Sequence, residues 1–147
     1  MTKAETAVKM HENYNCAQSV LTAFAEDLGM TKDQALAVSV GFGGGMGRTQ
    51  ETCGAVTGAL MALGLASGFK EGDKRDKINA VYAKVRAFID DFTREKGSVK
   101  CRELLGGCSL LTEEGQKYFK ENNLKEKCMG YIKFCSDQLE KYLAEGK

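Results

Sequence analysis

The sequence predicts an all-α protein, a single-domain bundle of about six or seven helices. Three observations predict it. Apolar residues recur at three- and four-residue steps along most of the chain. There is no proline anywhere, so nothing interrupts an i to i−4 hydrogen-bond ladder. No stretch of useful length alternates with the period of two that a half-buried strand requires. Residues 1–147 show no linker and no internal repeat, and a chain of 147 residues suffices to bury roughly two-thirds of its unfolded surface.

Each helix has its own signal. Thr2-Lys3-Ala4-Glu5 has the spacing of a capping box, and Ala4, Ala7, Val8 and His11 follow on one face. After a turn at Glu12-Asn13-Tyr14-Asn15, Asn15 is an N-cap for a helix carrying Ala17, Val20, Leu21, Phe24, Ala25 and Leu28, closed by Gly29. Thr31-Lys32-Asp33-Gln34 is a second capping box and opens Ala35 to Val40. A central helix is expected from Thr49, as its cap, to about Ala66. A long amphipathic helix follows Gly72-Asp73, with Ile78, Val81, Tyr82, Val85, Phe88, Ile89 and Phe92 on its core side. Ser98 is expected to cap a short helix from Val99 to Leu105, ended by Gly106-Gly107. Thr112 caps Glu113 to Glu121. The last helix runs from about Lys125 to Leu143 and aligns Cys128, Ile132, Cys135, Leu139 and Tyr142.

The densest chemical signal lies between the third and central helices. Gly41-Phe42-Gly43-Gly44-Gly45-Met46-Gly47-Arg48 is a glycine run that can take positive φ and approach a neighbour closely. Cys53 follows, and then Gly54, Gly58 and Ala62 form a side-chain-poor stripe. That stripe suits either close packing inside the chain or a homodimer contact. The run resembles a phosphate cradle in composition, but the lysine of G-x-x-x-x-G-K-[ST] is missing and no strand precedes it. Arg48 beside it can pair with an anionic substrate. Tyr14 and Tyr82 can lend hydroxyls to a site, although core packing is the usual role of such residues.

Bulk properties narrow the function. The net charge of +1 gives no field for nucleic acid or an anionic membrane, and 43% apolar with 28% charged residues is ordinary globular composition. No apolar run reaches the roughly 20 residues of a membrane span. The polar N-terminus lacks the apolar core of a signal peptide, so the expected compartment is the cytoplasm. There, six cysteines are core residues, metal ligands or redox thiols rather than a disulfide framework.

Cys16, Cys53 and Cys101 each sit near an expected helix start, where free amides and the helix dipole favour a thiolate or an anionic metal–thiolate centre. Cys128 lies early in the last helix. Cys135 reads as a buried core residue and Cys108 as a loop thiol. No C-x-x-C pair exists, which removes the thioredoxin-like and zinc-ribbon patterns. His11 is the sole histidine and no C-x-x-C-H occurs, so covalent c-type haem is excluded.

Four ordered segments resemble the C_GCAxxG_C_C family of small redox-active proteins. They are Asn15-Cys16-Ala17-Gln18-Ser19-Val20, the run Gly43 to Gly47 leading to Cys53-Gly54-Ala55-Val56-Thr57-Gly58-Ala59, Cys101-Arg102-Glu103-Leu104-Leu105-Gly106, and Cys128. The resemblance implies Cys16, Cys53, Cys101 and Cys128 as the four site cysteines. Met129 stands where the pattern leads one to expect proline, which keeps Cys135 open as the fourth. The family also resembles the haem-free part of split-Soret cytochromes, where an iron–sulfur centre is suspected.

Three classes of function follow. The first is a redox or electron-transfer protein whose four thiols hold an iron–sulfur cluster or switch between dithiol and disulfide. Cys53 and Cys16 would be the reactive thiols, and Gly44, Gly45, Gly47 and Arg48 would contact the cofactor. Its redox partner is unidentified, and neither nucleic acid nor membrane insertion is expected. The second is a metal-binding or carrier module for zinc or another thiophilic metal. A helical interaction domain with inert cysteines is the third alternative.

Overall fold

The computed structural model describes residues 1–145, and these form an all-α bundle. Eight helices build it: α1 (Lys3–Met10), α2 (Cys16–Ala25), α3 (Lys32–Ser39), α4 (Gly54–Ser67), α5 (Arg75–Lys96), α6 (Cys101–Leu104), α7 (Glu113–Glu121) and α8 (Lys125–Glu145). The count exceeds the expected six or seven by one. Among the described residues the sole extended pairing is an isolated antiparallel bridge between Thr52 and Lys100.

α2 is the centre of the bundle. Every residue from Ala17 to Ala25 is buried, and the helix packs against α1, α3, α4 and α8. Its close approach to α4 depends on the small-residue stripe. A Cβ on Gly58 would lie 2.7 Å from the Ala17 carbonyl oxygen, and one on Gly54 would lie 3.2 Å from the Cys16 Cβ. The stripe is therefore occupied by α2 within the chain. α5 and α8 close the other side, with Phe92 meeting Tyr131 and Phe134 edge to face, each at 5.8 Å between ring centres. Tyr82 is about half exposed (51%), so the core face of α5 is carried by Phe88 and Phe92 in its second half.

The capping reading holds at Thr2, Asn15, Thr31 and Thr112, each accepting from the amide three residues on. It fails at Thr49 and Ser98. α4 begins at Gly54 with Cys53 as its N-cap residue, and α6 begins at Cys101 after Lys100. The cause is local pairing of residues 50–53 with 99–102. Cys53 N–H donates to the Val99 carbonyl at 2.7 Å, Cys101 N–H to Glu51 at 2.7 Å, and Arg102 N–H to Gln50 at 3.1 Å. These amides are satisfied across the two segments, so the helices cannot start earlier. Thr49 instead donates its hydroxyl to the carbonyls of Gly45 and Met46, closing the glycine turn.

Candidate functional site

The glycine run folds into a left-handed turn. Gly44, Gly45, Met46, Gly47 and Arg48 have φ of 63°, 64°, 72°, 62° and 67° in succession. L-residues tolerate this region poorly, at roughly 1–2 kcal/mol each, which is why glycine fills three of these five positions. Gln50 is a further left-handed residue, at φ 61°. The turn wedges between two cysteine-bearing segments. A Cβ on Gly43 would fall 2.5 Å from the Asn15 side chain, and one on Gly45 would fall 2.8 Å from the Cys101 Cβ.

Beneath the turn lies a cavity of about 750 Å³, and Cys16, Cys53, Cys101 and Cys128 all line it. Gly44, Gly45, Gly47 and Arg48 line it as well. Each cysteine arrives at a helix start. Cys16 is the first residue of α2, held by Asn15, whose side chain accepts from Gln18 N–H at 2.9 Å and donates to the Val40 carbonyl at 2.9 Å. Cys53 precedes α4, Cys101 opens α6, and Cys128 lies in the first turn of α8. Three long helices thus direct their positive ends at one cavity, while α6, four residues long, contributes little field.

Helix ends of this kind lower thiol pKa values when nothing opposes them, and for three of the four cysteines the reverse holds. Burial pushes Cys53 up to about 11, against a smaller opposing pull from the Ala55 and Val56 amides. Its sulfur makes no full capping hydrogen bond, so these amides act as nearby dipoles rather than as a cap. Burial first, then the neighbouring Cys53 and Cys128, push Cys101 up to about 12. Cys16 is raised well above the ordinary range because its thiol donates to Cys128, with burial adding to this. Cys128 is the exception. The Cys16 hydrogen bond, its own backbone amide and the Lys125 ammonium hold it below the usual value despite partial burial. Cys128, rather than Cys53, is therefore the most readily ionised of the set. Each of the six cysteines is a free thiol.

The two remaining cysteines lie elsewhere. Cys135 is fully buried in the main core, away from the cavity lining. Cys108 is no loose loop thiol: it is buried beside Cys101 and Leu105, and its S–H donates to the Gly115 carbonyl at 3.0 Å.

Two residues of the site carry no sequence motif. Gln50 is buried and spans the gap between the glycine turn and the 108–110 loop. Its amide donates to the Cys108 carbonyl at 2.6 Å and its side-chain oxygen accepts from Leu110 N–H at 2.9 Å. Tyr131 lines the cavity and donates its hydroxyl to the Leu104 carbonyl at 3.1 Å. Burial, then Cys53, Cys128 and Cys101, raise its pKa. One helical turn separates it from Cys128, a spacing that could have marked it. Of the two tyrosines picked from the sequence, Tyr14 lines the cavity and Tyr82 does not.

Among the described residues, no group of three His, Cys, Asp or Glu side chains stands close enough to hold a single metal ion. Nor is any helix long and apolar enough to cross a membrane. The fold and this cavity define a cysteine-centred helical protein. The chain belongs to the family described as "Putative redox-active protein (C_GCAxxG_C_C)", whose model matches residues 14–142. It is also similar to an uncharacterized protein of Archaeoglobus fulgidus, with 29% identity over 129 residues, covering 80% of this chain and 85% of that one. No solved structure matches it.

Proposed function

We propose that this protein is an electron-transfer or oxidoreductase component whose centre is an iron–sulfur cluster held by Cys16, Cys53, Cys101 and Cys128. The observation that carries the reading is the meeting of these four cysteines, from four separate helix starts, around one cavity. Three features support it. Thiolate ligation of a cluster needs four sulfurs, which the cavity offers. The convergent helix ends favour the negative charge of a cluster–thiolate unit. Thiols that burial keeps protonated must ionise when metal binds, so cluster loading would release protons and strengthen as pH rises. The sulfurs ring a cavity rather than meet at a point, which suits a multi-iron core better than one tetrahedral zinc with sulfurs at about 2.3 Å. When bound, the cluster would supply a one-electron couple. The chain's part is to ligate it, to cover it with Gly44 and Gly45 of the glycine turn, and to exclude water with Leu104, Leu105 and Tyr131.

A second reading rests on Cys16 and Cys128, which line the cavity together and whose ionisations are linked. Oxidised together they would form one disulfide and release two electrons and two protons to an oxidised partner. Anaerobic purification separates the two. The cluster reading predicts brown protein with iron and acid-labile sulfide in comparable amounts. Colourless protein lacking both, with a thiol count that falls by two on mild oxidation, would replace it by the dithiol. Stoichiometric zinc without redox change would favour the carrier module.

A further inference from the structure

The same cavity has a second chemistry that the sulfurs do not use. Arg48, Lys120 and Lys125 line it, and the lining holds a single carboxylate, that of Glu12. Seven ion pairs occur among the described residues, and none involves Arg48, Lys120 or Lys125. Three cations without carboxylate partners at one concavity create a local positive field that the near-neutral net charge conceals. The field reaches inward, since the Lys125 charge adds to burial in lowering the His11 pKa. Arg48 sits in the strained left-handed turn, a conformation that persists only where surrounding structure imposes it. Leu110 and Phe119 add apolar wall beside these charges.

We infer that the outer part of this cavity binds a small organic anion, its charged group facing Arg48, Lys120 and Lys125 and its carbon body lying on Leu110 and Phe119. A pocket of this size with apolar walls and a few convergent charges is built for a small molecule, not for an acidic protein surface. As a statement about the substrate of the redox centre, the inference rests on the function proposed above. As a statement about binding, it does not. Ligand binding is read without electron transfer, so an iron-free protein would remove the centre and leave the anion site standing.

The test uses the full chain and three probes: benzoate, the uncharged benzamide and inorganic phosphate. Binding is followed by amide chemical-shift changes in isotope-labelled protein. Benzoate should bind saturably, with shifts centred on residues 44–48 and 116–125, and about 10-fold more tightly than benzamide or phosphate. Arg48→Gln and Lys125→Gln should each weaken benzoate by about 3- to 10-fold, whereas Lys84→Gln on the exposed side of α5 should leave it unchanged. Thermal melts establish that each variant is folded, and Lys125→Gln carries the test if Arg48→Gln is not. Benzamide binding as tightly as benzoate would overturn the inference, as would unchanged affinity in the folded charge variants. Phosphate matching benzoate would overturn it in favour of a bare oxyanion site.

Discussion

Gly45 lies so close to Cys101 that a Cβ on the glycine would stand 2.8 Å from the cysteine Cβ and 2.7 Å from the Gln50 Cα. Here the glycine turn and a cavity sulfur become one structural unit. Gly45→Ala must accept both a left-handed φ of 64° and contacts that force neighbours to move. A loss of about 2–4 kcal/mol of unfolding free energy is expected. Urea denaturation measures it, and a loss below about 0.5 kcal/mol would show that the turn yields freely.

Gln50 fastens the same turn from the other side. Gln50→Ala leaves the Cys108 carbonyl and Leu110 amide without their side-chain partner, for an expected loss of about 2–3 kcal/mol. Gln50→Gly removes the same bonds but relieves the positive φ, and should recover about 1 kcal/mol of that loss. Equal stability of the two variants would contradict the strain assigned to this residue.

Thiol reactivity follows the pKa order, because the thiolate is the nucleophile. In reduced, metal-free protein, iodoacetamide at about pH 7 should modify Cys128 before Cys16, Cys53 and Cys101. Peptide mapping of a time course reads this directly. Cys53 labelled first would restore the order expected from its place before α4. Cys16→Ala, which removes the donor beside Cys128, should slow Cys128 labelling at that pH.

The raised thiols also make stability fall at alkaline pH. Unfolded cysteines ionise near 9, whereas Cys53 and Cys101 in the fold ionise at about 11 and about 12. Their contribution is fully present below pH 9 and is lost as pH climbs toward those values. Each thiol loses about 1.4 kcal/mol for every pH unit climbed between its unfolded and folded values. Cys16, raised well above the ordinary value, adds to this fall, whereas Cys128, with its lowered pKa, contributes no slope above pH 9. Urea midpoints for the reduced, metal-free protein should hold steady to about pH 8 and drop by about pH 10. A Cys53→Ala, Cys101→Ala double variant should flatten the drop.

Much of the scaffold was legible in the residues. The capping pairs at Thr2, Asn15 and Thr31 set three helix starts, and the Gly54–Gly58 stripe marked a close helix contact that α2 fills. The failures share one origin. Thr49 and Ser98 look like caps, yet pairing between residues 50–53 and 99–102 takes the Cys53 and Arg102 amides that would have donated to their carbonyls. That pairing joins distant segments over too few residues to leave an alternating pattern. It also sets Cys53 beside Cys101, so the feature that misplaced two helix starts helps assemble the cavity. The thiol pKa directions were illegible for a related reason. The helix dipole is written in local sequence, whereas burial, which outweighs it at Cys53 and Cys101, comes from the whole fold. Cys128 and Cys135 share a helical stripe in the sequence, and only packing separates cavity wall from core.

The most direct test of the account is the visible absorption of anaerobically purified protein in six single variants. The account predicts that Cys16→Ser, Cys53→Ser, Cys101→Ser and Cys128→Ser each lose most of the iron–sulfide absorbance, while folded Cys108→Ala and Cys135→Ala retain it. Absorbance that survives loss of a cavity-lining cysteine, or that vanishes with Cys135 in a folded protein, would contradict it.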